Sequence, residues 1–277
     1  MTATRQPHRP PLAADALADA LLPGSRLLTA VRVVARTGST NADLLAAARA
    51  GTAAGTVLVA EEQTAGRGRL DRSWHSQPGA ALTFSVLLRP AAIPPSARGW
   101  LPLLTGVAVA AALRAQTGLD VSLKWPNDVL VSGAEPGMAG KLAGILAEQA
   151  GDAIVVGIGL NVSARRDELP APQATSLLLA GAAEPDRQAI LVAALRELEH
   201  WYLRWAGADP PGDALSSGLR AEYLRSCSTI GRDVRVELPG GAVLTGRACD
   251  VDPVGRLMVS TDGGMQAVSA GDVVHVR

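Results

Sequence analysis

The chain of 277 residues reads as an α+β protein: helices beside a sheet, followed by a small C-terminal β-barrel. Three observations predict this. Apolar strand-like runs such as "GTVLVAEEQT", "GAALTFSVLLRP" and "AIVVGIGLNV" are interleaved with helix-periodic stretches such as "GSTNADLLAAARAG" and "DRQAILVAALRELEHWYLRWAG". The runs "VSLKW" and "VLVSG" flank Pro126-Asn127-Asp128, which is hairpin turn chemistry. From Ile230 to Arg277 the character changes to short alternating strands punctuated by Gly and Pro turns, the pattern of a small barrel.

Taken in order, residues 1–25 read as a loose tail followed by a short helix, "PLAADALADALL". "RLLTAVRVVART" alternates as a strand. The next helix has Ser39 or Thr40 as its N-cap, Asp43 in its first turn and Gly51 as its stop. "GTVLVAEEQT" is a buried strand that runs into the glycine-broken loop "AGRGRLDRSW", and "AAIPPSARGW" is a Pro-rich connection after the next strand. "WLPLLTGVAVAAALRAQTG" is apolar but stops at Arg114, short of the roughly 20 residues a bilayer requires, and reads as a buried helix. "KLAGILAEQ" and "AIVVGIGLNV" are strands, the second almost wholly apolar and therefore central in its sheet. The main domain is expected over 26–227 and the barrel over 228–277.

Composition narrows the function. Hydrophobic residues make up 48% and charged residues 19%, with zero formal net charge, which argues against a protein held to nucleic acid by phosphate neutralisation. No targeting segment is visible, and Cys227 and Cys249 lack metal-ligand spacing, so a soluble cytoplasmic protein with reduced thiols is expected. His8, His75, His200 and His275 form no pattern of a metal site or triad.

The cations are more informative. Of 26 basic residues, only Lys124 and Lys141 are lysines, and both lie in "LKWPNDVLVSGAEPGMAGKLAGILAEQ". An ammonium is a compact point charge on a flexible stem, unlike the planar guanidinium fork, so a site that needs the former has reason to keep lysine. Upstream, Gly66 and Gly68 allow close backbone approach to a ligand, while Arg67, Arg69 and Arg72 are forks suited to phosphate or carboxylate. In a chain with 3% aromatics, Trp74 at the end of that loop can cover a ligand. The loop is neither a P-loop nor a dinucleotide fingerprint.

"GRGRLDRSW", "KWPNDVLV", "GKLAGIL" and "GIGLNV", preceded by "GSTN" and "EQTAG", together resemble the catalytic domain of a biotin protein ligase across roughly residues 37–163. The C-terminal segment is similar to that family's SH3-like domain. The resemblance implies a mixed, largely antiparallel sheet flanked by helices. It also implies two steps: biotin and ATP give biotinyl-5'-AMP and pyrophosphate, then a lysine of a biotin carboxyl carrier protein domain takes the biotinyl group and AMP leaves.

The resemblance assigns residues as well. Ser39, Thr40, Asn41 and Gln63 bind biotin's ureido ring, although capping also explains the first three. Arg67, Gly68 and Arg69 meet biotin or the intermediate's phosphate, and Arg72 and Trp74 order the loop over the adenylate. Lys141 touches both the biotin carboxylate and the α-phosphate. Lys124 is a triphosphate ligand or structural. Asn127 is a turn former or a ligand, and Trp125 is core. Asp128 binds Mg²⁺, or orients and deprotonates the acceptor amine. Asn161 meets adenine, phosphate or a metal-bound water, or simply ends its strand.

One departure stands out: Asp71 lies where the family has glycine. About 36 residues precede "TGSTN", with Pro7, Pro10 and Pro11 among them, so a ligase without DNA-binding function is expected, as a monomer or weak homodimer. A lipoate–protein ligase or octanoyl transferase shares the fold, but the glycine-arginine loop and "KWPND" point away from it. A non-catalytic biotin-binding module would not need Lys141.

Overall fold

The structure is a computed structural model and describes residues 9–70, 72–132 and 139–276. Its elements begin with α1 (Ala14–Leu21), β1 (Ala30–Thr37), α2 (Thr40–Arg49), β2 (Thr56–Gln63), β3 (Gly66–Arg67), β4 (Ser73–Trp74) and β5 (Ala81–Leu88). A 3-10 turn, Pro95–Gly99, leads into α3 (Trp100–Thr117). Then come β6 (Val121–Lys124), β7 (Asp128–Ser132), β8 (Ala139–Ala150), β9 (Ala153–Asn161), α4 (Arg187–Ala206) and α5 (Leu219–Ser226). The C-terminal strands are β10 (Asp233–Glu237), β11 (Val243–Val251), β12 (Leu257–Thr261), β13 (Gly264–Val268) and β14 (Asp272–His275).

The large sheet has the order β1-β2-β5-β9-β8-β7-β6. Its β1–β2 pair is parallel and the other pairs are antiparallel, so the expected mixed, largely antiparallel sheet is what forms. Apolarity sets the order: β9 is the middle strand of seven, and its neighbour β5 is buried at all eight positions. β6 and β7 form the expected hairpin, with Lys124 opposite Asp128.

The two faces differ. One is covered by α1, α3, α4 and α5, which bury Leu17, Leu104, Leu195 and Tyr223 against the sheet side chains in one continuous core. Cutting fully buried Leu104 to alanine costs about 2–5 kcal/mol. The stretch Pro95–Thr117 holds an 18-residue window apolar enough to pass for a membrane span, with mean hydropathy 1.3, yet 72% of that window is buried inside the fold. It is the central core helix. The other face carries α2, which packs Leu44 and Ala48 on Leu58, Leu87, Ala153 and Val155. Ser39 caps α2 by accepting from Ala42 N–H, as its sequence indicates. The rest of that face is open.

Period-two alternation explains the opening. Even residues of β9, from Ile154 to Leu160, point into the main core. Ala153 and Val155 meet α2, and the next two positions on their face are Gly157 and Gly159. Removing two side chains from the middle of a packed sheet leaves a hollow beside α2.

The segment expected as a loose tail is tied down from Arg9 onward. Arg9 pairs with Glu168 at 2.6 Å, Leu12 N–H donates to Glu61 at 2.7 Å, and the Pro10 carbonyl accepts from Arg187 at 2.5 Å. α1 then buries Leu17 and Leu21 in the main core. These partners lie far along the chain, which is why local composition misleads here.

The C-terminal strands form an antiparallel sheet in the order β13-β12-β11-β10-β14. Two of the five tryptophans pin it to the main domain. Trp100 Nε1 donates to Pro253 O at 2.9 Å, and Trp125 Nε1 donates to Gly255 O at 3.2 Å. Arg220 adds an ion pair with Asp250 and a 2.9 Å bond to Val251 O.

Candidate active site

The hollow opens into a cleft of about 1570 Å³ between the sheet, the 66–74 loop and the C-terminal sheet. At its inner end a polar network replaces apolar packing. Fully buried Ser85 lies 2.7 Å from Thr40 Oγ1 and donates to Asn41 Oδ1 at 2.6 Å. Gln63 Oε1 accepts from Thr40 N–H at 2.7 Å and from its hydroxyl at 3.0 Å. Asn41 Nδ2 donates to Glu148 at 2.8 Å and to Leu146 O at 3.2 Å. A β-carbon at Gly157 would overlap the Asn41 amide, so the glycine is what admits it. The network fixes Thr40, Asn41 and Gln63 around the hollow beside the cap residue Ser39, the fit a small polar ring requires.

Lys141 Nζ sits 2.6 Å from Asp128 Oδ1, and both side chains are partly exposed to the cleft. The hairpin turn brings Asp128 here, and Asn127 braces it. Asn127 Nδ2 donates to Ile145 O at 2.9 Å, its carbonyl accepts from Ile145 N–H at 3.0 Å, and its Oδ1 accepts from Arg69 at 3.2 Å.

The loop that carries Arg69 is a narrow ribbon. Gly66 pairs with Trp74 and Arg67 with Ser73, and Gly68 N–H donates to Arg72 O at 2.6 Å. At Gly66 a β-carbon would collide with Trp74 O and the Gln63 amide. The left-handed turn that the ribbon needs falls on Leu70, φ 54°, and Asp71 lies outside the described residues. Trp74 lays its indole on Gly144 and Gly159, covering the cleft floor.

Electrostatics agree with an anion site. Burial lowers the Arg69 pKa from its usual value, against the opposing pull of Asp128 and Asp272. Arg72 is raised, chiefly by its hydrogen bond to Asp272. Burial pushes the Asp272 carboxyl up, but the Arg72 hydrogen bond and the charges of Arg72, Lys124 and Lys141 together hold it below its ordinary value. Asp272 belongs to β14, so the C-terminal domain touches the loop directly. His275, on the same strand, is held to about 4 by burial and by the charges of Lys124 and Arg232. The Thr229 hydroxyl accepts from Trp125 N–H at 3.1 Å and lies 3.2 Å from His275 Nε2, joining the turn before Asp128 to β14.

Ser39, Thr40, Asn41, Gln63, Arg67, Gly68, Arg69, Arg72, Trp74, Lys124, Asn127, Asp128 and Lys141 all line this one cleft. Asn161 does not. It is 4% exposed and donates to Thr175 O at 2.9 Å, which anchors the next loop. Sequence reasoning missed Ser85, Glu148, Arg166 and Asp272. Ser85 and Glu148 reach the site only through Asn41 or Thr40, and Asp272 arrives from a different sheet. Local spacing carries no signal for such contacts.

Sheet, cleft and C-terminal domain are those of the biotin and lipoate ligase class. Residues 33–163 match the Biotin/lipoate A/B protein ligase family and residues 229–276 match the Biotin protein ligase C terminal domain. The chain is 47% identical over 273 residues to the Biotin--[acetyl-CoA-carboxylase] ligase of Mycobacterium tuberculosis, covering 97% of each chain. It is 32% identical over 225 residues to the Bifunctional ligase/repressor BirA of Escherichia coli, covering 79% of this chain and 66% of that one. It superimposes on the Biotin protein ligase from Aquifex aeolicus in complex with biotin and ATP with a TM-score of 0.72 at 29% identity, covering 89% and 98% of the two chains. The chain belongs to the biotin protein ligase family.

Proposed function

We infer that this chain activates biotin with ATP to biotinyl-5'-AMP and transfers the biotinyl group to a lysine of a biotin carboxyl carrier protein domain. The observation that carries the reading is Lys141 in a cleft with the 66–74 arginine loop above it and the Ser39–Gln63 network at its inner end.

Two anions must meet for the first step. The biotin carboxylate oxygen forms a bond to the α-phosphorus while the bond to pyrophosphate breaks. Lys141 leaves Asp128 and follows the charge from carboxylate to α-phosphate, which a single rotating ammonium does well. Arg67 and Arg69 bind the phosphate oxygens. Arg72, held by Asp272, and Trp74 keep the loop down and exclude water, which protects the mixed anhydride. Lys124 and the cations near β14 suit the departing pyrophosphate.

In the second step the acceptor amine attacks the biotinyl carbonyl, AMP departs, and the amine proton passes to Asp128, freed of Lys141. Mg²⁺ binds through one or two carboxylates plus substrate phosphates and water. Asp128, in the cleft beside Lys141, is such a carboxylate: it would hold the ion in the first step, before serving as base in the second, and the ion would neutralise phosphate charge.

Incubation with biotin, ATP and an isolated carrier domain tests the whole reading. Mass spectrometry is expected to show one added biotinyl group on one lysine, and an unmodified carrier would refute it. Two finer statements belong to the same proposal. The chain is a monomer or weak homodimer, measurable by sedimentation. Specific retardation of a biotin-operon promoter fragment is not expected, because a chain of zero formal net charge has no excess of cations to neutralise phosphates.

A further inference from the structure

β8 carries an irregularity that decides where Lys141 points. Val129 pairs with Ala143 but Leu130 pairs with Lys141, so Leu142 is an extra residue, a β-bulge. Leu142, Ala143 and Ile145 all point into the main core. Gly144 and Leu146 line the cleft. By strict alternation Lys141 would share the core face with Ala143 and Ile145. The bulge turns it into the cleft.

Bulges leave the ladder locally weak, so something must hold this one. The holder is the segment 173–175. Lys141 N–H donates to Gln173 O at 2.8 Å, and Lys141 O accepts from Thr175 N–H at 2.9 Å. A β-carbon at Gly140 would meet the Thr175 side chain, so that glycine lets the segment lie flat on β8. One side chain folds the segment. Arg166 donates to Ala171 O at 2.7 Å, Ala174 O at 2.6 Å and Pro172 O at 3.3 Å. A guanidinium fork presents five N–H donors in a fixed plane, which is what three converging carbonyls require. Asn161 anchors the far end through Thr175 O.

We propose that Arg166 is a positioning residue for adenylation: by folding the 171–175 segment onto the bulge, it holds Lys141 aimed into the cleft. The proposal rests on the ligase reading. Arg166 also lines the cleft, so direct contact with nucleotide is the competing role, and the two separate kinetically.

The test is biotin-dependent ATP–pyrophosphate exchange on the parent, Arg166→Ala and Arg166→Gln. Amide deuterium uptake of the ligand-free proteins and thermal melts are read in parallel. For Arg166→Ala, kcat is expected to fall about tenfold or more, with KM for ATP and biotin within about threefold, since a small misplacement of a catalytic group costs rate rather than binding. Deuterium uptake is expected to rise at 139–142 and 173–175. Arg166→Gln keeps two donors and is expected to lose less; it carries the test if the alanine variant melts. A rise in KM for ATP at unchanged kcat overturns the proposal in favour of nucleotide contact. So does an unchanged kcat, or a fall without faster uptake in those two segments. A parent that exchanges nothing with biotin overturns the ligase reading itself, and with it the proposal, and the parent control tells that failure apart.

Discussion

Asp272→Asn removes a charge by which the C-terminal sheet holds the 66–74 loop, through Arg72. The Arg72 side chain is 61% exposed and the Asp272 side chain 34%, so solvent screens the pair and its worth is about 0.2–1 kcal/mol. At ~1.4 kcal/mol per factor of ten, biotinyl-5'-AMP should leave the site about 1.4- to 5-fold faster. Asp272→Arg should do worse, because it adds a cation beside Arg72 and within the fields of Lys124 and Lys141. Swapping both residues, Arg72→Asp with Asp272→Arg, restores opposite charges and should recover part of the loss. The assay is a chase of preformed labelled adenylate with unlabelled biotin, alongside biotin incorporation into a bystander protein. If Asp272→Asn retains the adenylate as long as the parent, the loop is not held from the C-terminal domain and the argument fails.

Lys141→Ala should abolish measurable pyrophosphate exchange while biotin still binds in calorimetry, because Ser39, Thr40 and Gln63 remain. Arg69→Ala should release the adenylate and label bystander lysines, and normal retention would refute the loop's covering role. Gly159→Ala places a β-carbon in the Trp74 indole, an overpacking cost of about 1–3 kcal/mol that the Trp74 side chain should absorb by lifting. The expected reading is weaker biotin retention at a nearly unchanged melting temperature. His275, held at about 4 against 6.5, binds its proton more readily in the unfolded chain. Its stabilisation is therefore full above pH 6.5 and lost as pH falls toward 4; allowing for a half-exposed ring it is worth about 1–2 kcal/mol at most. His275→Gln should flatten that part of a stability–pH profile.

What the sequence made legible is what local pattern controls. The unbroken apolarity of "AIVVGIGLNV" marks the central strand, Ser39 marks the start of α2, and Pro126-Asn127-Asp128 marks the hairpin. Thirteen of the fourteen site residues named from motifs line one cleft, walled by the start of α2, the large sheet and the separate 66–74 ribbon. Asn161 is the exception: at the end of a buried strand, its amide donates to Thr175 O. The rest depends on long-range contact. No local pattern announces that Arg9 will bind Glu168 or that Asp272 will meet Arg72. The bulge at Leu142 is a further case, since it appears only when the registers of β7 and β8 are compared.

The most direct measurement is ATP–pyrophosphate exchange with Mg²⁺, run separately with biotin, lipoate and octanoate. Exchange with biotin alone, lost in Lys141→Ala, is the predicted result. Exchange with lipoate or octanoate instead, or biotin binding with no exchange, would contradict the account.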